Sequence, residues 1–79
     1  MEARSMTYGE KAVGLTFNPS GDPKVQKLKE LYAAIIDICN EGRDGNYKWS
    51  KEYVRLCDEA VTHAQTAQMW AVKAVTWRD

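Results

Sequence analysis

The chain has no surplus of charge: 11 Lys and Arg residues offset 11 Asp and Glu residues over 79 positions. A neutral chain lacks the basic footprint that non-specific DNA binding requires, so DNA is not an expected partner. The balance leaves room for a small anion held by a few placed cations. No apolar run approaches the roughly 20 residues that span a bilayer, so no membrane partner is expected either. Residues 1–7 (MEARSMT) lack the apolar stretch of a secretory signal. Cysteine is scarce, and Cys39 with Cys57 could form one bridge at most. That is no disulfide framework, and it favours a reducing, cytoplasmic setting.

Catalytic chemistry is equally thin. His63 is the single histidine, and Glu59, four residues before it, is its one adjacent carboxylate. A metal site needs more nitrogen or sulfur ligands than that, so no metal and no cofactor are expected. Cys57 and His63 are six residues apart and face different sides of a helix, which leaves a nucleophile pair unsupported. The glycines match neither the Walker pattern nor the dinucleotide fingerprint. These features argue against an enzyme.

What the chain does have is helix-forming text. A domain this small buries only about 60% of the surface its unfolded form exposes, so association with other copies is the economical source of extra burial. Asp22 suits an N-cap and Pro23 a first helical position, which predicts a helix over 23–41. Its apolar positions are Val25, Leu28, Leu31, Tyr32, Ile35, Ile36, Ile38 and Cys39, with Lys24, Gln26, Lys27 and Lys29 read as outward. From Leu31 to Cys39 the helix is apolar around most of its circumference and calls for several neighbours.

Gly42 is a stop signal opening a loop over 42–49, with Tyr47 and Trp49 at its far end. Ser50 is the next N-cap. A second helix over 50–77 follows, with a seam of Tyr53, Val54, Cys57, Val61, Ala64, Gln68, Ala71, Val72 and Val75. The expected fold is all-α: an antiparallel helical hairpin with a short N-terminal segment or helix, assembled into a compact homo-oligomer.

The most informative segment is 8–22, placed between a flexible stretch at 1–7 and the first long helix. It holds Tyr8, Phe17, three glycines and the turn residues Asn18, Pro19, Ser20 and Gly21. Residues 8–16 suit a short helix or turn, limited by Gly14. Tyr8 and Phe17 lie where a core role is not automatic, and stacking a base on such a ring is worth about 1–3 kcal/mol. Asn18, Lys24 and Lys27 place a polar turn and two cations together. Asp22 as a cap competes with an anion for the same N–H groups, so an ordinary capped helix start is the simpler account of that turn. Packing between helices is likewise the simpler account of Trp70 and Trp77. Thr62, Gln65, Thr66, Gln68 and Lys73 add polar groups to the second helix, suited to a ligand or to the irregular backbone of the N-terminal segment.

The opening YGEKAVGLTFNPSG (residues 8–21) and the closing THAQTAQMWAVKAV (residues 62–75) resemble the phage anti-CBASS sponges, which share a helical-hairpin domain with the anti-Thoeris sponges. The resemblance runs from Tyr8 to Trp77. It implies a non-enzymatic protein of the infected bacterial cytoplasm that sequesters cyclic oligonucleotide second messengers. It also implies homo-hexamers of hairpins, with cyclic dinucleotides at subunit interfaces and, in some members, cyclic trinucleotides in separate pockets. An aromatic of the N-terminal segment and an early lysine of the first long helix serve the dinucleotide site, and Tyr8 and Lys24 match them. The family's pattern has an arginine before the Thr-His pair, where this chain has Val61. Ligand-binding residues are therefore expected among Tyr8, Phe17, Asn18, Lys24, Lys27, Thr62 and Gln65. Three rivals stay open: a sponge for cyclic ADP-ribose isomers, a hairpin that binds a host protein through its apolar faces, and a small hydrolase that would turn the nucleotide over.

Overall fold

A computed structural model describes residues 5–43 and 50–79. Among them are three helices, α1 (Tyr8–Val13), α2 (Pro23–Glu41) and α3 (Lys51–Thr76). The loop expected over 42–49, with Tyr47 and Trp49, lies outside the described residues apart from Gly42 and Arg43.

Each helix starts where side-chain chemistry satisfies its free donors. Thr7, placed with the N-terminal tail on sequence grounds, caps α1: its Oγ1 accepts from Glu10 N at 3.1 Å, and Glu10 Oε1 accepts from Thr7 N at 2.9 Å. This reciprocal pair is a capping box. Gly14 ends α1 in the left-handed region, φ 63°, where a Cβ would be strained. Asp22 Oδ1 accepts from Lys24 N at 2.8 Å, with Pro23 following it as expected. Ser50 Oγ accepts from Tyr53 N at 3.1 Å and opens α3.

α2 and α3 form an antiparallel hairpin. Near one end Gly42 lies against Cys57, and Arg43 Nη1 pairs with Asp58 Oδ1 at 3.2 Å. At the other, Val25 shares a cavity wall with Val72 and Thr76. Gly42 does follow α2, but not as a left-handed stop, since its φ is −71°. Its need is space: a Cβ there would collide with Cys57 Sγ and stand 2.7 Å from Tyr53 Cε1.

α1 folds back along α2 in the opposite direction. A Cβ on Gly9 would collide with Ala33 O, so only glycine lets the two backbones come this close. The Gly9 N–H donates to Asp37 Oδ1 at 2.7 Å. Five residues on, Gly14 O accepts from Lys29 Nζ at 3.0 Å.

The core is small. Val13, Ala33, Ile36 and Val61 bring the three helices together, with Ala12, Leu15, Tyr32, Cys39 and Ala64 packed around them. The expected apolar face of α2 divides: Ile36 is fully buried, whereas Leu31, Ile35 and Ile38 stand 50%, 47% and 68% exposed. On α3, Tyr53 belongs to the expected seam but is 40% exposed. The shortest dimension of the fold is 12 Å, so the helices lie in essentially one layer and each keeps an uncovered side.

Lys29 contradicts the outward position assigned to it. It is only 5% exposed, because α1 and the turn after it lie across this part of α2. Its aliphatic stem fills the groove, and its ammonium meets carbonyl oxygens of the turn.

Candidate functional site

Five of the seven predicted site residues divide between the two ends of α2, and the other two lie midway along α3. Tyr8, 44% exposed, sits near the C-terminal end of α2, with the Arg43 guanidinium 5.1 Å from its ring centroid. Phe17, Asn18, Lys24 and Lys27 gather at the opposite end. The intervening helix is on the order of 25 Å long at 1.5 Å per residue. One chain therefore brings Phe17 and Asn18 together near the first turn of α2 and keeps Tyr8 away from them.

At the N-terminal end of α2 the turn is heavily bonded. Asn18 Nδ2 donates to Asp22 O at 3.2 Å, and Ser20 Oγ donates to Asn18 Oδ1 at 2.9 Å. The Asp22 N–H donates to Ser20 Oγ at 3.2 Å. Gly21 takes φ 66° to close the turn. The amide of Asn18 is thus engaged on both sides. Lys24 and Lys27 are exposed, and their ammonium groups extend from the first two turns of α2.

Between this turn and the end of α3 lies a cavity of about 310 Å³. Phe17, Pro19, Val25 and Val72 make it largely apolar, and Lys29 and Thr76 contribute polar groups. Thr76 Oγ1 is occupied with Val72 O at 2.7 Å. Phe17 is 71% exposed, with the Lys29 ammonium 5.5 Å from its ring centroid. A smaller cavity of about 140 Å³ beside α1 is lined by Glu10, Glu30 and Asp37 together with Leu15, Ala33 and Ala34. Three acidic residues make it a poor place for an anion.

Thr62 and Gln65 sit midway along α3. Thr62 is exposed and its carbonyl accepts from Thr66 Oγ1 at 3.2 Å, whereas Gln65 is half-buried. Neither lines the 310 Å³ cavity. Between them, His63 Nε2 lies 3.2 Å from Glu59 Oε2 on an exposed face. Among the described residues no group of three His, Cys, Asp or Glu side chains is placed to hold a metal ion. No helix among them is long and apolar enough to cross a membrane.

Arg43 escaped sequence reasoning. Its Nε and Nη2 donate to Asn40 Oδ1 at 3.1 and 2.7 Å, while Nη1 reaches Asp58. The neighbouring Tyr8, seconded by Asp58, raises its pKa above the ordinary arginine value. The planar fork is thus fixed in orientation behind the Tyr8 ring. The available signal was a cation just past a helix C-terminus, where the last carbonyls attract positive charge.

The Acb2/Tad1 hairpin domain model matches residues 10–76. No curated protein and no solved structure matches the chain. The matched stretch reaches from the first turns of α1 to the last residue of α3. It places the chain in the Acb2/Tad1 hairpin domain family, the helical hairpin of anti-CBASS and anti-Thoeris sponges, whose members bind cyclic nucleotides without enzymatic turnover.

Proposed function

We propose that this protein sequesters the cyclic oligonucleotide messengers of CBASS immunity, cyclic dinucleotides such as cGAMP foremost, in the cytoplasm of an infected bacterium. The observation that carries the proposal is a repeated arrangement. Tyr8 and Phe17 are both substantially exposed rings, and each has a cation behind it, Arg43 at 5.1 Å and Lys29 at 5.5 Å. A ring fixed on one side by a cation is a firm platform for a base on the other. Lys24 and Lys27 supply charge for the two phosphates.

Tyr8 and Lys24 lie at opposite ends of α2, so a single ligand touching both would bridge two copies of the chain. The uncovered Leu31, Ile35 and Ile38 of α2, and Met69, Trp70 and Trp77 near the end of α3, supply apolar surface for that association. A homo-hexamer, the assembly implied by the family resemblance, would use it. Val61 is 2% exposed in the core. An arginine at that position in the family pattern has no counterpart on this surface, which favours dinucleotides over trinucleotides.

A cyclic ADP-ribose isomer also presents a base and paired phosphates, so the anti-Thoeris reading is the second candidate. Competition between 3′,3′-cGAMP and a cyclic ADP-ribose isomer for the protein separates the two. Preferential retention of the ADP-ribose isomer would replace the CBASS assignment. If neither raises the melting temperature, the hairpin that binds a host protein gains, because a tight ligand in large excess stabilises by several kcal/mol.

A further inference from the structure

Lys29 is the least expected residue of the fold. A 5% exposed lysine brings a desolvation cost that Leu or Met would avoid. Its hydrogen-bond partners are not carboxylates. The ammonium donates to Gly14 O at 3.0 Å and to Phe17 O in a still closer contact. Gly14 O also accepts from Phe17 N at 2.8 Å, so one turn is closed from inside by its own backbone and from below by Lys29. Both carbonyls lie just past the C-terminal end of α1, where a cation is favourable. The same ammonium stands 5.5 Å from the Phe17 ring centroid, and Lys29 forms part of the 310 Å³ cavity wall.

We propose that Lys29 is a positioning residue for ligand binding: from beneath the 14–17 turn it fixes the Phe17 ring and one wall of the cavity before a ligand arrives. The hairpin gains little from this ammonium that an apolar side chain would not supply, whereas the turn gains a rigid anchor. Phe17, otherwise a largely exposed side chain on an irregular segment, acquires a defined position. Preorganisation of this kind lowers the ordering cost that binding would otherwise meet. The ligand-binding half of the proposal rests on the sponge reading above. The ordering of the turn does not.

The test compares wild type with Lys29→Met, which keeps the stem and removes the donors, and with Lys29→Arg, which restores charge and donors. Amide hydrogen exchange at residues 14–18 and calorimetric affinity for 3′,3′-cGAMP are measured on each. Lys29→Met should speed exchange in the turn while the central amides of α2 and α3 keep their protection. It should also weaken cGAMP binding by about tenfold, with Lys29→Arg recovering part of both effects. Unchanged turn exchange, or exchange raised equally throughout the hairpin, would overturn the assignment. Unchanged affinity with a loosened turn would overturn its ligand-binding half. Should wild type bind no cGAMP, the sponge reading for that ligand fails, and the exchange data still decide what Lys29 holds. If Lys29→Met does not fold, lysine side-chain nitrogen NMR on wild type takes its place. A slowly exchanging Lys29 ammonium supports the anchor, and a solvent-averaged one refutes it.

Discussion

Lys29 and Asp37 stand eight residues apart on α2 and grip opposite ends of the six-residue helix α1. Asp37 accepts the Gly9 N–H at 2.7 Å near the start of α1, and Lys29 takes the carbonyl of Gly14 beyond its end. Each charge matches the partial charge of the end it meets, negative at the N-terminus and positive at the C-terminus. A helix this short is unstable alone. Between the two grips its main apolar anchor is Val13.

Gly9→Ala should therefore detach α1. Its methyl would meet the Ala33 carbonyl and crowd Asp37 Oδ1, 2.8 Å away, at the oxygen that holds the Gly9 N–H. A loss of at least about 2 kcal/mol is expected from overpacking and the broken charged hydrogen bond. Gly21→Ala meets no atom within 4 Å and suffers only its positive φ, so about 1 kcal/mol is expected. Urea denaturation of the two variants checks the order, and equal losses would contradict the close approach of α1 to α2.

Tyr8→Ala and Lys24→Ala should each weaken cGAMP binding by about tenfold or more, since one stacked base is worth about 1–3 kcal/mol and a charged hydrogen bond to phosphate about 1.5–3 kcal/mol. Both residues are exposed in the single chain, so folding should be unaffected. Calorimetry with circular dichroism on the same samples reads both outcomes. Wild-type affinity in both variants would remove these residues from the site.

Arg43→Lys should reduce binding without unfolding the chain. Lysine cannot reproduce the fork that holds Asn40 and Asp58 at once behind Tyr8. The Asp58 side of that contact is 55% exposed and worth about 0–1 kcal/mol to stability. The expected signature is a small shift in melting temperature with a larger drop in cGAMP affinity. A variant that melts far lower would show that Arg43 serves the hairpin instead of the ring.

Ile35→Glu and Ile36→Ala should fail in different ways, although the residues are neighbours. Ile36 is fully buried, and its truncation costs about 2–5 kcal/mol of fold stability. Ile35 is 47% exposed in the single chain, so a glutamate there should leave the helices intact and reduce the assembled mass. Circular dichroism and light scattering distinguish the two. A wild-type protein that scatters as a monomer would contradict the proposed association.

The helices were legible because their signals are local. Asp22 with Pro23, Ser50, and Gly14 set helix boundaries through neighbouring backbone groups, and the structure follows them. Positions that depend on a third element were not legible. Lys29 reads as outward because of its charge, although it stands four residues from Val25 and seven from Ile36 on the buried stripe, where α1 and the turn after it lie against its ammonium. Gly42 ends α2 as its place in the sequence predicts, but the reason it must be glycine comes from Cys57 and Tyr53 on another helix. Tyr8 and Lys24 are paired as site residues by the family resemblance alone, and nothing local in the sequence shows how far apart one chain holds them. The chain folds back between them and carries them to opposite ends of α2. Arg43 acquires its role only once Tyr8 has been brought beside it.

Native mass spectrometry of the full chain with and without 3′,3′-cGAMP tests the central claim most directly, followed by heat denaturation and identification of the released nucleotide. The account predicts a multimer that takes up the ligand and returns it as the intact ring. A lone hairpin that never carries the nucleotide, or a linear fragment in the released fraction, would contradict it.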